Sequence, residues 1–376
     1  TTIVRLVVEI AEASGARVLL ASPTGRAAKR LAEATGREAA TLHRTLGFDP
    51  QSGRFARGRE SPLEADLVVV DEVSMLDVVL AHHLLKAIQP PARLVLVGDP
   101  DQLPSVAPGN VLRDLLDSGA VPWFRLARIH RQEEGSLIVA NAHRILAGQD
   151  PQLPPRGTHD ADFYLFAEDD PAACAERVVE VVTERIPRTF GLDWLRDVQV
   201  LAPMYRGECG VDALNERLRA RQRSGGTELV HAGRSWAPGD RVIQTRNDYD
   251  KEVFNGDMGL VARVHDEGLV VAYPEREVGY ALDGLADLQP AFAITVHRAQ
   301  GSEYPAVVIP LTTQHFMLLQ RNLLYTAVTR ARRLLVLVGS RRALRMALDN
   351  AEPSLRLSGL TPRLRGAARG APGQGS

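Results

Sequence analysis

The chain has 376 residues, and at roughly 150 residues per domain this length predicts two domains. Its 45 Lys and Arg residues are balanced by 46 Asp and Glu residues. This balance excludes a polybasic protein that binds nucleic acid through bulk charge, but it leaves a local basic groove open. The two cysteines, Cys174 and Cys209, exclude a disulfide framework and a Cys-rich metal site. No apolar run approaches the roughly 20 residues of a membrane span, and the first residues show no signal-peptide pattern, so we expect a reducing cytoplasm.

The first part of the chain alternates helix and strand signals. Helical segments carry apolar residues three and four positions apart, and strand segments are short apolar runs. Thr24 can cap the second helix, and Gly36 follows it as a stop signal. The alternation predicts a parallel sheet covered by helices. The predicted segments are a helix at 3–13, a strand at 17–22, a helix at 25–35, a protruding hairpin at 47–62, and strands at 66–70 and 93–97.

A Pro-rich linker at 150–157 separates this part from a second series of buried strands. Within that series, residues 234–291 have Gly-containing turns between short apolar runs, which predicts a small antiparallel β insertion. The tail beyond residue 353 carries four arginines and no acidic residue among many Gly and Pro, and we expect its end to be disordered. The strands predicted in this part are 198–202, 293–296, 307–311 and 334–338.

Two acidic residues, Asp71 and Glu72, directly follow the apolar run 67–70. Open α/β sheets bind ligands at the carboxyl ends of their strands. An acid there can hold Mg²⁺, and its neighbour can polarise an attacking water. The alternative is a strand that happens to end in two charged residues without a ligand site. This pair of residues alone does not decide between a ligand site and that alternative.

A second strand delivers polar groups to the same edge of the sheet. The run VGDPDQLPSV at 97–106 closes the strand at 93–97. Its Gln102 carries a neutral amide that can bond both a water and a phosphate oxygen. A turn built from Gly, Asp and Pro is the alternative, but two strands that end in this way favour a ligand site.

Further candidates lie in three later motifs. Arg131 in IHRQ and Arg330 in YTAVTRARR could each stabilise charge on a transferring phosphoryl group, an effect of roughly 10³–10⁵ in rate. A surface ion pair is the commoner fate of a single arginine. The run ITVHRAQGSEY follows a third strand and offers phosphate, water or ribose ligands, namely Thr295, His297, Gln300 and Glu303.

The order of the motifs resembles superfamily 1B helicases of the RecD-like branch, which also includes conjugative relaxase-helicases of the TraA type. The resemblance covers nearly all of the chain from residue 1 to about residue 340, and the stretch QTRNDYDKEVFNGDMG is especially RecD-like. The run VVVDE alone is a weak signal, whereas all of the motifs in this order are highly specific. In chain order they are SPTGRAAKRL, TLHRTLG, VVVDEVSMLD, VGDPDQLPSV, IHRQ, LAPMYRGECGVDALN, QTRNDYDKEVFNGDMG, TVHRAQGSE and YTAVTRAR.

The resemblance implies an α/β fold with two RecA-like P-loop NTPase domains that contain parallel sheets. The first domain would span 1–149, with a β-hairpin pin at about 47–63 that splits the duplex. The second would span 150–345, with an SH3-like β insertion at about 234–291 that touches the DNA strand. Residues 346–376 would form a basic, Gly- and Pro-rich tail.

The resemblance also implies a role for each candidate residue. Asp71 would hold Mg²⁺, Glu72 would activate the hydrolytic water and Gln102 would couple the γ-phosphate of ATP to the DNA track. Arg131 and Arg330 would be arginine fingers. Gln300, Gly301 and Glu303 would bind the nucleotide, with Glu303 on the ribose. The residues implied to line the single-stranded DNA track are Ser22, Pro23, Thr24, Thr41, His43, Thr295 and His297.

One motif of the family is missing from these residues. No G-x-x-x-x-G-K-[ST] run occurs anywhere in the chain, although a helicase motor needs this loop to cradle the phosphates of ATP. In the family the loop lies immediately before the helix that 3–13 resembles. We therefore expect Thr1 to follow the loop directly, and the given residues to lack both the loop and the central strand before it.

The leading interpretation is an ATP-dependent DNA helicase of recombination and repair, which moves 5′→3′ on single-stranded DNA and acts at junctions of single-stranded and duplex DNA. A nucleotide-dead DNA-binding subunit is one alternative, and the residues encoded before Thr1 would decide it. The motor part of a RecBCD-type nuclease complex or of a conjugative relaxase is another. RNA as substrate is less favoured. A single-strand-binding protein or recombination proteins are the partners implied.

We predict that a polypeptide of these 376 residues alone neither hydrolyses ATP nor folds well. The missing loop removes the phosphate cradle, and a missing central strand leaves backbone groups of its neighbours unpaired. Steady-state ATPase assays and circular dichroism of the isolated polypeptide check both expectations. Robust hydrolysis of ATP would contradict them.

Overall fold

The computed structural model describes residues 2–126, 135–155, 157–222, 227–248, 250–351, 356 and 358–370. The described residues form two compact units. Those up to residue 126 belong to the first unit together with those from 356 onward, and those from 135 to 351 form the second.

The first unit is an α/β structure around a four-stranded parallel sheet. Two further short strands form an antiparallel hairpin at its side. Its elements up to residue 126 are α1 (Thr2–Ala13), β1 (Val18–Ser22), α2 (Gly25–Thr35), β2 (Ala39–Thr41), α3 (Leu42–Thr45), β3 (Phe48–Asp49), β4 (Arg54–Phe55), β5 (Leu67–Val70), α4 (Val78–Ala87), β6 (Arg93–Leu96) and α5 (Val111–Ser118).

The sheet of the first unit has the strand order β2-β1-β5-β6. Side chains of a strand alternate between its two faces. Accordingly, Leu67 and Val69 of β5 pack with α1 and α2, whereas Val68 and Val70 pack with α4 and α5. All four residues of β5 are buried, which makes this strand the centre of the unit. Its carboxyl end therefore has a rigid support.

The second unit is built on a five-stranded parallel sheet, and an antiparallel β insertion interrupts it. The elements before the insertion are α6 (Leu137–Leu146), β7 (Phe163–Ala167), α7 (Pro171–Glu180), a π-helical turn (Val181–Arg185), α8 (Ile186–Phe190), β8 (Val198–Ala202) and α9 (Val211–Gln222). Those of the insertion are β9 (Leu229–His231), β10 (Arg234–Trp236), β11 (Arg241–Gln244), β12 (Met258–His265), β13 (Gly268–Ala272), β14 (Glu277–Ala281) and β15 (Leu288–Pro290). Those after it are β16 (Ala293–Thr295), β17 (Tyr304–Leu311), α10 (Arg321–Val328), β18 (Ala331–Gly339) and α11 (Arg341–Asp349).

The large sheet of the second unit has the order β16-β8-β17-β18-β7. The predicted insertion is confirmed as a five-stranded antiparallel sheet, β14-β13-β12-β11-β15, beside the β9–β10 hairpin. It has its own apolar core around Trp236 and Leu269. Buried Arg241 ties it to the large sheet, because its Nη1 donates to the Val198 carbonyl (2.6 Å).

Two expectations about boundaries differ from the structure. The predicted break at 149/150 falls inside the second unit, since α6 packs on α10 and the Asp162 carboxylate accepts hydrogen bonds from Ser136 Oγ and the Leu137 N–H. The predicted basic tail at 346–376 begins inside a helix and contains another, and its end, which was expected to be disordered, lies outside the described residues. Helix α11 continues to Asp349, and a last helix, α12 (Leu360–Gly370), packs on α5 of the first unit.

Most of the helices and strands that were predicted individually in the two sheets lie within one or two residues of their predicted bounds, but β17 and β18 each begin three residues earlier than predicted. Helix α2 begins and ends where predicted, with the Thr24 hydroxyl accepting from the Ala27 N–H and Gly36 in the left-handed conformation. Edge strands β2 and β7 were not predicted. Among the described residues, no helix is long and apolar enough to cross a bilayer.

Candidate active site and nucleic-acid track

Asp71 and Glu72 lie at the carboxyl end of β5, as predicted. The Asp71 N–H donates to the Ala21 carbonyl (3.0 Å), which keeps this end beside the end of β1. Asp71 Oδ1 accepts from the Glu72 N–H (2.9 Å). Both side chains are half-buried. The two carboxyl groups thus stand at the sheet edge where open α/β folds bind ligands.

Glu72 has a left-handed backbone, with φ 55° and ψ 41°. A non-glycine residue in this conformation costs about 1–3 kcal/mol, and such residues cluster at functional sites. Backbone hydrogen bonds of the residues that follow Glu72 hold this conformation. The Val73 N–H donates to the Val97 carbonyl (2.9 Å), and the Met75 N–H donates to the Glu72 carbonyl (3.0 Å). The residues that follow Glu72 therefore fix the direction in which its side chain projects beyond the end of β5.

The loop after β6 lies directly against this turn. A Cβ at Gly98 would lie 3.1 Å from both the Val73 and Ser74 nitrogens, so only glycine allows the approach without a shift. Beyond Gln102, the Ser105 N–H donates to the Ser74 carbonyl (3.0 Å). The loop 98–109 is thereby fastened to the residues that follow Glu72.

Asp99 orients Gln102. Its Oδ2 accepts from Gln102 Nε2 (3.2 Å), and its Oδ1 accepts from the Asp101 N–H (3.0 Å). The Arg113 Nη2 donates to the Pro100 carbonyl (2.9 Å) and steadies the same loop. Sequence reasoning missed the role of Asp99, although its position three residues before Gln102 is a signal for such a side-chain contact.

The predicted track residues of the first unit gather where β1 and β2 end. Ser22 and Thr41 are register partners in the two strands. The Ser22 Oγ is buried and has no hydrogen-bond partner in the structure. Thr24 and Thr41 cap α2 and α3, their hydroxyls accepting from the Ala27 and Arg44 N–H groups. Pro23 is half-buried between them.

His43 packs against the hairpin. Its ring meets Phe48 of β3 edge-on (5.3 Å between centroids) and Phe55 of β4 at 6.0 Å, and Phe55 in turn lies 4.2 Å from the His83 ring of α4. Burial lowers the pKa of His43, with Asp77 acting in the opposite direction. Burial therefore favours the neutral form of the ring. These four rings, which we call the aromatic anchor, hold the base of the hairpin; the sequence prediction did not include it.

The predicted ligand run of the second unit follows β16. Thr295 is buried, and its hydroxyl accepts from the Arg298 N–H (3.3 Å). His297 is half-buried in the next turn, Gln300 is buried, and Gly301 has φ 72°. Asn215 of α9 fixes β16, because its side chain bonds both backbone groups of Ala293 (2.9 Å each).

Arg330 is only 1% exposed and lies inside the second unit. Its guanidinium donates to the carbonyls of Thr326 (3.2 Å) and Ser302 (3.1 Å). Glu303 accepts from Arg332 Nε (2.8 Å). The structure therefore shows Arg330 joining the end of α10 to the 301–303 turn, and shows Glu303 paired with an arginine. Their roles as arginine finger and ribose ligand stay predictions. Arg131 lies outside the described residues.

The donor set at the first unit's edge fits Mg²⁺. Carboxylate oxygens are ligands that Mg²⁺ prefers, and the ion usually binds one or two carboxylates together with substrate phosphates. Asp71 supplies such an oxygen at a strand end. In the described parts of the chain no group of three or more His, Cys, Asp or Glu residues could hold a metal ion.

Three family models match the chain in the order of its elements. Residues 1–108 match an AAA domain, residues 213–273 match the SH3 domain of ATP-dependent RecD-like DNA helicases, and residues 290–338 match a UvrD-like helicase C-terminal domain.

Two curated relatives cover almost all of the chain. The RecBCD enzyme subunit RecD of Mycolicibacterium smegmatis is 34% identical over 408 residues, which cover 97% of this chain and 70% of that protein. The chain belongs to the RecD-like helicase family. An ATP-dependent RecD2 DNA helicase of Deinococcus radiodurans is 40% identical over 347 residues, 92% of this chain. The chain spans 46% of the length of that relative.

Solved structures agree with the fold. A Pif1 helicase structure described as showing DNA unwinding at forked duplex DNA superposes with a TM-score of 0.54 at 19% identity, over 95% of this chain and 88% of that one. Pif1 of Bacteroides in complex with ADP-AlF3 and single-stranded DNA gives 0.51 at 17% identity, over 94% and 88%. At these identities the likeness shows the helicase fold and no more.

Proposed function

We propose that this chain forms the motor region of an ATP-dependent DNA helicase that moves 5′→3′ on single-stranded DNA and unwinds duplexes in recombination and repair. The observation that carries the proposal is the turn at Glu72. A carboxylate at a sheet edge, on a turn that is fastened to a loop presenting an amide, suits hydrolysis of a phosphoanhydride, because the carboxylate can accept a proton from the attacking water. Membership in the RecD-like family supports the same function.

In this proposal Glu72 accepts the proton of the water that attacks the γ-phosphorus. A carboxylate in that role contributes about 10²–10⁴ in rate. Because the Glu72 backbone is fixed, its carboxylate loses little further conformational freedom when the nucleotide binds. Asp99 holds the Gln102 amide close to this turn, where the amide can bond the water or the terminal phosphate.

Asp71 would hold Mg²⁺ at the same edge. When bound, the ion neutralises charge on the phosphates. The Asp71 carboxylate also accepts the Glu72 N–H, so the residue that would hold the ion is tied to the residue that would activate water.

Single-stranded DNA would run past the hydroxyls at the ends of β1, β2 and β16. Thr24, Thr41 and Thr295 each accept a backbone N–H, and a hydroxyl that accepts can also donate its proton to a phosphate oxygen. The buried Ser22 hydroxyl has unused bonding capacity at the end of β1 in the first unit. Contacts of this kind read the phosphate backbone and not the bases, which suits a motor that steps along any sequence.

The hairpin β3–β4 would be the pin that separates the strands of the duplex. Its tip is a turn in which the Asp49 carboxylate accepts from the N–H groups of Gln51 (2.9 Å) and Ser52 (3.2 Å). The aromatic anchor fixes its base to α4, which begins five residues after Glu72 at its Asp77 cap. A rigid wedge must resist the force of strand separation, and a packed aromatic base supplies that resistance.

A second candidate assembly is suggested by the relatives. The Mycolicibacterium relative is named as a subunit of the RecBCD enzyme, and a probable conjugal transfer protein TraA of Sinorhizobium fredii is 28% identical over 88% of this chain. We therefore also propose that this motor can operate within a larger enzyme, in the cytoplasm, with recombination proteins or a single-strand-binding protein as partners.

Replacing Glu72 by Gln in the full-length protein should lower kcat for ATP hydrolysis by about 10²–10⁴-fold, because an amide cannot accept the proton. Unwinding should be lost while affinity for single-stranded DNA stays measurable. The matched control is Glu64→Gln, the same change on an exposed side chain before the other end of β5. Wild-type unwinding by Glu72→Gln would show that Glu72 is not the base.

Charge reversal of Arg54, Arg57 and Arg59 should reduce unwinding on the order of ten-fold, because acidic groups at the pin repel the DNA backbone. Translocation on single strands should change little. Stopped-flow assays with forked and single-stranded substrates measure the two rates. Arg5→Glu in α1, a reversal of an exposed arginine, serves as the control. Equal losses of both rates would contradict the assignment of the hairpin.

A further inference from the structure

The C-terminal strap, residues 356 and 358–370, returns to the first unit and is fastened there at several points. Leu360 packs on the core formed by α4 and α5. The Asp114 carboxylate of α5 accepts from the hydroxyls of Ser358 (2.5 Å) and Thr361 (3.1 Å). The Arg365 Nη2 donates to the Asp117 carbonyl. Part of the predicted basic tail is thus a bound element of the first unit.

One contact of the strap goes to the site loop. Arg356 Nη1 donates to three backbone carbonyls of loop 98–109, those of Ser105, Ala107 (2.9 Å) and Gly109 (3.1 Å). Three carbonyl oxygens that converge on one point repel one another unless a cation lies between them. The guanidinium supplies that cation, so it holds this part of the loop in one shape.

The clamped carbonyls lie a short way along the chain from Gln102. Leu103 is buried, and the Ser105 N–H donates to the Ser74 carbonyl in the turn that follows Glu72. The peptide of Ser105 is therefore held from both ends, by Ser74 at its nitrogen and by Arg356 at its oxygen. A shift of this residue would move Gln102 and the Glu72 turn relative to each other.

We propose that Arg356 is a positioning residue for ATP hydrolysis, which holds the Gln102 loop against the Glu72 turn so that DNA binding can stimulate the reaction. The proposal rests on the proposed function. Arg356 touches neither nucleotide nor DNA in this scheme, and acts through the carbonyls of loop 98–109.

A purely structural role for the strap makes a different prediction. The strap has a second anchor at Asp114 of α5, whose carboxylate accepts from Ser358 and Thr361 rather than from Arg356. If the strap only holds the fold together, loss of either anchor should have the same effect. If Arg356 positions Gln102, the two anchors should differ in their effect on hydrolysis.

The test uses the full-length protein and four variants. Arg356→Ala removes the clamp, and Arg356→Lys keeps a charge but not the planar fork. Ser358→Ala combined with Thr361→Val releases the second anchor only. Arg363→Ala is the matched control, because Arg363 is an exposed arginine of the same strap, in α12. ATPase rates with and without single-stranded DNA, the KM for ATP and melting temperatures are measured for each.

We expect Arg356→Ala to lower the DNA-stimulated kcat on the order of ten-fold, as small displacements of catalytic groups do. The basal rate and the KM for ATP should change less than about twofold, and Arg356→Lys should restore part of the loss. The Ser358/Thr361 double variant and Arg363→Ala should keep wild-type stimulation. If Arg356→Ala does not fold, a selective loss of stimulation in Arg356→Lys serves in its place.

Three results would overturn the proposal. They are wild-type stimulation in Arg356→Ala, an equal loss of basal and stimulated rates, and a double variant that loses stimulation as Arg356→Ala does. Failure of the proposed function is distinguishable, because the wild-type protein itself would then show no ATPase activity.

Discussion

The left-handed turn at Glu72 is the constraint around which the first unit's site is organised. Its backbone costs about 1–3 kcal/mol, and each hydrogen bond of the surrounding peptides contributes about 0.5–1.5 kcal/mol net. The bond from Val73 to Val97 and that from Ser105 to Ser74 join the turn to loop 98–109. The conformation of Glu72 therefore depends on the loop that carries Gln102. Backbone hydrogen bonds thus connect the segments that carry the two candidate catalytic residues.

The hydroxyls of the proposed DNA track also have a structural role. Thr24, Thr41 and Thr295 each sit at the end of a strand and cap the turn or helix that follows. Capping fixes each hydroxyl while leaving it a proton to donate. A residue that stabilises the fold at a strand end is thus also placed to bond a phosphate, and no separate set of binding residues is required. His43 differs, since its ring belongs to the aromatic anchor of the hairpin.

Much of the fold could be predicted because its signals are local. Apolar runs located β1, β5 and β6, and the Thr24 and Gly36 signals bounded α2. The strap could not be predicted, because its helix is short, basic and rich in Gly, and forms where Leu360 and the Asp114 carboxylate offer contacts from distant parts of the chain. The left-handed backbone of Glu72 was equally hidden, since it arises from bonds to Val97 and not from any preference of glutamate.

The close approach of Gly98 to the Glu72 turn is the point at which this arrangement can be tested most directly. A Cβ there meets the Val73 and Ser74 nitrogens at 3.1 Å, whereas at exposed Gly366 in α12 it meets nothing within 4 Å. The measurement is kcat for ATP hydrolysis by Gly98→Ala and Gly366→Ala in the full-length protein. Coupling of the turn and the loop predicts a fall of at least about ten-fold for Gly98→Ala, with wild-type hydrolysis for Gly366→Ala and retained DNA affinity in both. Wild-type hydrolysis by a folded Gly98→Ala variant would contradict it.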